Sequence, residues 1–279
     1  MTLNLYYICQ DIYEMETTEI DTNEISSLSS LQPEDWADIV PQFDFYTKST
    51  FCFPIKVTMN NEIVGIGATI VHNEVAWLAH IIVHPDYRHR GIGQQITQTL
   101  VEISKTKNSS TIYLIATEYG EPVYKIICFI IETDYLIYKN VVKKDWKISG
   151  NIQPYKEKNM KQLVALDRDI SGEDRIIHLE EHFANGMVYH TEDIVEGYFL
   201  PTLGEGLIIA SNEIAGVELL KLHLKHNDRV VIPKENNAAQ KFLQETGFGE
   251  VKVIKRMRLG IERKVQFANI YNRIGGNVG

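Results

Sequence analysis

The chain has 279 residues, of which 44% are hydrophobic and 23% are charged, and its formal net charge is −9. These values exclude a disordered chain, and the length allows two domains that each bury a core. The acidic balance argues against nonspecific nucleic-acid binding, and no apolar run approaches the roughly 20 residues of a membrane helix. Three widely spaced cysteines and an acidic N-terminal stretch predict neither a disulfide framework nor a signal peptide, so we expect a cytoplasmic protein.

The first half predicts an alternation of strands and short helices. Asn60-Asn61 tolerates the positive φ of a tight turn, which indicates a hairpin. The aromatic segment 43–46 could line a pocket, although core packing is the ordinary role of such rings. The predicted elements are a strand at Leu3–Cys9, a helix from Pro33 to Val40 that Pro41 ends, strands at Ile55–Met59, Ile63–Val71 and Val75–Val83, a helix from Gln94, a strand at Thr111–Thr117, a helix from Glu121 and a strand at Tyr135–Tyr138.

The second half repeats this kind of alternation, and its tail from Tyr271 to Gly276 is expected to be flexible. We therefore predict an α/β (α+β) fold of two tandem domains, residues 1–140 and 141–279, each a mixed, mostly antiparallel sheet flanked by helices. The predicted elements are helices at Lys158–Asp167 and up to Phe183, strands at Gly186–His190, Glu196–Leu200 and Gly206–Ala210, a helix at Val217–His226, a strand at Arg229–Ile232, a helix at Asn237–Glu245 and a strand at Val251–Leu259.

The segment from Val83 to Gly93 joins a strand to an amphipathic helix through a basic loop with two glycines. Glycines let backbone N–H groups approach a diphosphate, the helix N-terminus adds partial positive charge, and Arg88 and Arg90 can contact phosphate oxygens. The spacing matches neither GxGxxG nor GxxxxGKS/T, which argues against dinucleotide and P-loop sites. The motif R-x-x-G-x-G after V-x-P-x-Y resembles the coenzyme-A loop of the Gcn5-related N-acetyltransferases (GNAT).

A later motif of that family, N-x-x-A-x-x-F/L-Y-x-x-x-G-F, is matched in part by both halves. The second half keeps most of it between residues 236 and 248, with a leucine at the tyrosine position. The first half keeps Tyr124 and Phe129 but has Thr117 and Cys128 in place of the asparagine and the glycine. Each half therefore retains what the other has lost.

The coenzyme-A loop survives only once in the sequence. Ser211–Gly216 takes the place of Arg88–Gly93, carries no positive charge and keeps only the last glycine. The second half as a whole resembles the C-terminal acetyltransferase-like domain of two-domain family members. We therefore expect cofactor binding and chemistry in the first half, while the second is a degenerate copy that completes the acceptor cleft or a homodimer.

The resemblance implies that acetyl-CoA lies along the strand Val75–Val83, where backbone groups near Ile81 and Val83 bond its pantetheine arm. Backbone N–H groups of the loop would hold the pyrophosphate. The residues expected to bind the cofactor are Ile81, Val83, Arg88, His89, Arg90, Gly91, Ile92 and Gly93.

The resemblance also implies direct transfer, in which an acceptor amine attacks the thioester carbonyl while both substrates are bound. Tyr124 matches the family tyrosine whose hydroxyl lies near the thioester sulfur, so we expect it to protonate the departing thiolate. Its alternative role is core packing. Glu118 is the predicted base, while His80 and Glu74 remain alternatives. A histidine within an apolar strand is otherwise a packing residue, and glutamates at strand ends are otherwise solvated.

Two functions of different classes remain open. The first is acetyl-CoA-dependent N-acetylation of a primary amine on a small molecule or peptide. The second is a non-catalytic acyl-CoA-binding sensor or regulatory protein, which the loss of the motif asparagine and glycine favours. Residues 1–140 carry 18 acidic and 8 basic side chains, and this balance would suit a cationic acceptor.

A polar cluster in the second half has two interpretations. It could cap a helix beside a solvated loop, or its carboxylates could face the cleft and bind a cationic acceptor. Its members are Asp167, Asp169, Asp174 and Arg175. The histidines of this half lack metal-ligand spacing, so we expect no metal.

Overall fold

The computed structural model describes residues 15–34, 36–140 and 145–279. The predicted strand Leu3–Cys9 lies outside these ranges. The strands are β1 Met15–Glu19, β2 Cys52–Met59, β3 Glu62–His72, β4 Val75–Val83, β5 Thr111–Ala116, β6 Ile130–Lys139, β7 Ile152–Pro154, β8 Met187–Thr191, β9 Ile194–Leu200, β10 Leu207–Ala210, β11 Arg229–Pro233, β12 Gly249–Gly260 and β13 Ile270–Asn272. The α-helices are α1 Ile39–Lys48, α2 Ile92–Thr106, α3 Glu121–Ile126, α4 Met160–Ser171, α5 Ile176–Leu179, α6 Glu213–Leu224 and α7 Asn237–Glu245.

The predicted helix from Pro33 to Val40 is wrong. Helix α1 begins at Ile39, where the Asp38 carboxylate accepts a hydrogen bond from the N–H of Val40. Pro41 lies in the first turn of this helix and does not end it. A first-turn N–H has no partner within the helix, so proline loses no hydrogen bond there.

Eight strands form the larger sheet, in the order β1-β2-β3-β4-β5-β12-β6-β11. Among the described strands of this sheet, β4 and β5 run parallel and the other neighbours are antiparallel. The smaller sheet has the order β13-β10-β9-β8-β7 and is antiparallel throughout. The predicted fold class, mixed and mostly antiparallel sheets flanked by helices, is confirmed.

The two halves of the chain share the larger sheet. Strand β12 of the second half lies between β5 and β6 of the first, while β6 lies between β12 and β11. Each half thus places one strand between two strands of the other. The boundary at residue 140 stays a prediction, because the sheet continues across it.

Helix α2 packs closely on the larger sheet because β3 carries two glycines beneath it. A Cβ atom at Gly65 would lie 2.7 Å from Ile96, and one at Gly67 would lie 2.8 Å from Ile96 and 2.9 Å from Leu100. The buried side chains of α2 recur at helical spacing and form one core with Ala76 and Leu78 of β4. This contact holds the N-terminus of α2 beside the end of β4.

Two of the four residues of the polar cluster, Asp167 and Arg175, are buried, whereas Asp169 is exposed and Asp174 is half-buried. Asp167 and Arg175 form an ion pair at 2.9 Å, both side chains are nearly inaccessible, and Tyr198 donates to Asp167. Asp174 pairs with Arg168 at 2.6 Å, and this second ion pair lies at the surface. Asp167 therefore neither caps a helix beside a solvated loop nor faces the cleft, because its carboxylate binds Arg175 and Tyr198 inside the fold.

Candidate functional site

Strands β4 and β5 separate at their carboxyl ends. The paired region runs from Val75 opposite Thr111 to Leu78 opposite Leu114. Both strands then continue beyond this last pair. On its other side, β4 pairs with β3 through a bulge in which His80 and the following residue face the single residue Gly67. His80 has a φ of +49°. The parallel pair therefore opens into a gap, with the bulge at its inner end.

The predicted cofactor loop borders this gap. After β4, a 3-10 turn at Pro85–Tyr87 leads to His89, with φ +62°, and to Gly91, with φ +83°. Gly91 is the N-cap residue of α2, and no described side chain caps this helix. The first-turn N–H groups of α2 have no partner within the helix, so they are available to an anion.

Both loop arginines are exposed and fold back onto the loop. Arg88 Nε lies 3.3 Å from the carbonyl oxygen of Val83, and an Arg90 amino group lies 3.2 Å from that of Asp86. The Arg90 guanidinium also lies 5.1 Å from the centre of the Tyr87 ring. These hydrogen bonds use one of the five N–H donors of each guanidinium, so both can still bind phosphate.

Tyr124 lies on α3, on the same side of the sheet as α2. Its side chain is 7% exposed, belongs to the core beneath α2 and packs against Gly120, where a Cβ would lie 2.6 Å from the ring. Burial raises the pKa of the Tyr124 hydroxyl, so the group is protonated at neutral pH. Tyr124 is thus a packing residue that also retains a transferable proton.

The three candidate bases occupy different places. Glu118 is exposed in the turn after β5, near the open end of the gap. Glu74 lies at the opposite end of β4, about 20 Å from His80 at ~3.3 Å per strand residue, and pairs with Arg263 at 3.2 Å. His80 lies at the gap itself.

His80 contacts the aromatic segment of α1, on the face of the sheet opposite Tyr124. Its Nδ1 lies 3.0 Å from Tyr46 Oη, and the rings of Trp36, Phe43 and Tyr46 lie 5.6–5.8 Å from its ring centre. Burial lowers the pKa of His80 to about 4, so its imidazole is neutral at pH 7. The aromatic segment therefore both packs in the core and borders the gap.

One residue of this face was missed by the sequence analysis. The Asn277 amide lies 3.4 Å from Tyr46 Oη. Asn277 directly follows the tail Tyr271–Gly276, which was expected to be flexible. Tyr271 and Asn272 belong to β13, so that expectation was wrong. No local pattern around Asn277 indicates the contact, because its partner lies 231 positions earlier.

The corresponding gap of the second half is filled. Strand β13 pairs with β10, and it bonds to Val231 of β11 through the Arg273 N–H and the Asn272 side chain, at 3.2 and 2.9 Å. Asn212 caps α6 by accepting from a first-turn N–H, and Tyr271 covers Gly216 of that helix. The second half therefore has neither an open gap nor an uncapped helix at this place.

Comparisons with known proteins agree with this geometry. Residues 10–125 match the acetyltransferase (GNAT) family. A proposed acetyltransferase from Pyrococcus horikoshii superposes with a TM-score of 0.80 over 100% of this chain and 99% of its own, at 21% identity. A tandem GNAT protein of the clavulanic acid biosynthesis pathway superposes with a TM-score of 0.57 over 90% of this chain and 100% of its own, at 11% identity. A GNAT protein from Sphaerobacter thermophilus has a TM-score of 0.62 over 91% of this chain and 98% of its own, at 10% identity. No curated protein matches the chain.

Residues 10–125 therefore match the GNAT acetyltransferase family, and the described part of the chain has the fold of the tandem GNAT protein and of the Pyrococcus horikoshii structure. The family uses acetyl-CoA for acetyl transfer. Within the described ranges, no group of three or more His, Cys, Asp or Glu side chains is placed to hold a metal ion. No helix in the described part of the chain is long and apolar enough to span a bilayer.

Proposed function

We propose that the chain is an N-acetyltransferase that moves an acetyl group from acetyl-CoA directly to a primary amine on a small molecule or peptide. The observation that carries this proposal is the gap between β4 and β5. It ends at a helix N-terminus that no described side chain caps and at an exposed arginine pair. Because the counterpart gap is filled by β13, the proposed reaction takes place in the first half.

The donors of the loop support its proposed role in binding the cofactor. The pantetheine arm would lie against the edge of β4 that β5 leaves after Leu78, with backbone groups of Ile81 and Val83 as its partners. N–H groups from His89 to Gly93, together with Arg88 and Arg90, would hold the pyrophosphate. Gly91 favours this loop because its φ of +83° strains other residues.

In the proposed reaction, the amine nitrogen attacks the thioester carbonyl carbon, a C–N bond forms and the C–S bond breaks. Tyr124, protonated because it is buried, gives its proton to the departing thiolate. Glu118 takes the amine proton, directly or through water, and solvent then restores the proton of Tyr124. Orientation of the two substrates in the gap supplies most of the acceleration.

The test is release of free thiol from acetyl-CoA in the presence of single amines. Alaninamide, glucosamine, tyramine, butylamine, spermidine and a lysine peptide cover small, sugar, aromatic, aliphatic, cationic and peptide acceptors. We expect thiol release above background with at least one of them, and none with the Gly91→Glu variant. Tight acetyl-CoA binding with no release across the panel would contradict the proposal.

The sensor is the second candidate, and one observation favours it. Cys128 replaces the motif glycine yet keeps a φ of +71°, a conformation that strains a cysteine and marks a drift from the family pattern. A sensor would bind acetyl-CoA and release no thiol with any amine. The panel therefore separates the two functions directly.

A further inference from the structure

Residues of the second half after β13 reach the first half beside the gap. The Ile274 N–H donates to the carbonyl of Gly279 at 2.9 Å and closes this segment into a turn. Gly279 lies against the Trp77 ring, since a Cβ there would be 2.5 Å from it. The turn places the amide of Asn277 3.4 Å from Tyr46 Oη. The second half thus supplies a polar side chain to the face of the gap opposite Tyr124.

The hydrogen atoms of this cluster can be assigned from its chemistry. The Nδ2 group of Asn277 can only donate, so Tyr46 Oη accepts from it. The single hydroxyl hydrogen of Tyr46 is then directed at His80 Nδ1, 3.0 Å away. Because His80 is neutral and its Nδ1 accepts from Tyr46, its one ring proton lies on Nε2.

This assignment changes the role of His80. Its Nδ1 lone pair is already used by Tyr46, and its Nε2 carries a hydrogen, so neither nitrogen is free to take a proton from an amine. What the ring can offer a ligand is a single hydrogen-bond donor. The rings of Trp36 and Phe43 lie 5.8 Å from the His80 ring centre. Phe43 is buried and Trp36 is 42% exposed, so the surroundings of this donor are apolar and reach the surface at Trp36.

We propose that Asn277 and Tyr46 are positioning residues through which the second half holds His80 as an Nε2–H donor for an oxygen atom of the acceptor substrate. The inference rests on the proposed N-acetyltransferase function and narrows its substrate to a primary amine that also carries an oxygen acceptor. An amino sugar or an amino-acid amide has this chemistry, and a simple alkylamine does not.

The decisive variant is Asn277→Asp, which changes a donor into an acceptor of nearly the same size. The new carboxylate would attract the Tyr46 hydrogen, so Tyr46 Oη would accept from His80 Nδ1–H and the ring would adopt the other tautomer. Nitrogen-15 NMR of His80 should show Nε2–H in the wild type and Nδ1–H in this variant. Asn269→Ala is the matched control, because Asn269 contacts Gln266 of its own segment.

Kinetics with alaninamide and glucosamine complete the test. We expect Asn277→Ala and Tyr46→Phe to raise KM for these amines roughly tenfold, the effect of one lost hydrogen bond, with acetyl-CoA affinity unchanged. Asn277→Asp should raise KM at least as much, and Asn269→Ala should leave it unchanged.

Each outcome decides one proposal. The inference is overturned if His80 keeps one tautomer in the wild type and in both Asn277→Asp and Tyr46→Phe, or if Asn277→Ala and Asn269→Ala give equal KM values. A wild type that binds acetyl-CoA but releases no thiol with any amine overturns the proposed function instead. The tautomer measurement would still show whether Asn277 and Tyr46 orient His80.

Discussion

The two halves of this chain have corresponding strands and helices, but the gap between the strands is open in the first half and filled in the second. In the first half, β4 and β5 separate, and α2 follows its N-cap residue Gly91 with no cap from any described side chain. In the second half, β13 fills the corresponding place and Asn212 caps α6. A helix N-terminus and a strand edge each hold unsatisfied backbone groups, which either a ligand or the protein itself must bond. We infer that the first half leaves these groups to a ligand, whereas the second half satisfies them within the protein.

The largest expected effect is on cofactor binding. Gly91→Glu places a carboxylate at the N-terminus of α2 and strains the positive φ, so acetyl-CoA affinity should fall about 100-fold or more. Calorimetry measures this loss. Ile214→Glu is the matched control, because it adds the same charge to the exposed first turn of α6, and equal losses in the two variants would contradict the comparison.

The next effect is on turnover. Tyr124→Phe removes the proposed proton donor and keeps the ring that packs on Gly120, so kcat should fall about 100-fold while acetyl-CoA affinity stays the same. Steady-state thiol release measures kcat. Tyr119→Phe is the control, because this neighbouring tyrosine is 90% exposed. Unchanged turnover in Tyr124→Phe would show that the Tyr124 hydroxyl is not the proton donor and that the ring serves only in core packing.

The contacts that fill the gap of the second half should stabilise the folded chain. The buried Asn272 side chain accepts from Val231 N–H and donates to the carbonyls of Glu205 and Gly206. Asn272→Ala should lower the free energy of unfolding by about 3 kcal/mol, since it leaves buried backbone groups unpaired. Urea denaturation measures this loss. Appearance of a second acetyl-CoA site in this variant would show that β13 only covers a working site.

The smallest effect is a pH dependence from His80. Its folded pKa of about 4 is below the ordinary value of 6.5, so the unfolded chain binds more protons between these values. The stabilising contribution of the neutral His80 is therefore present above pH 6.5 and is lost as the pH falls toward 4. Compared with His80→Gln, the wild type should lose on the order of 2 kcal/mol more between pH 7 and pH 5. Urea denaturation at the two pH values tests this, and equal losses would refute it.

Local patterns in the sequence predicted much of this structure. The alternation of apolar residues located most strands, and R-x-x-G-x-G located the loop and the start of α2 within two residues. The exchange of β6 and β12 could not be predicted, because pairing between distant strands leaves no local signal. For the same reason, Asn277 could not be connected to Tyr46 and His80, although the aromatic segment and His80 had each been noted.

The binding stoichiometry of acetyl-CoA tests the central claim most directly. Calorimetric titration of the wild-type chain should give one site per chain, and titration of the Gly91→Glu variant over the same concentration range should give none. Two sites per chain, or one site that survives in the Gly91→Glu variant, would contradict the difference between the open and the filled gap.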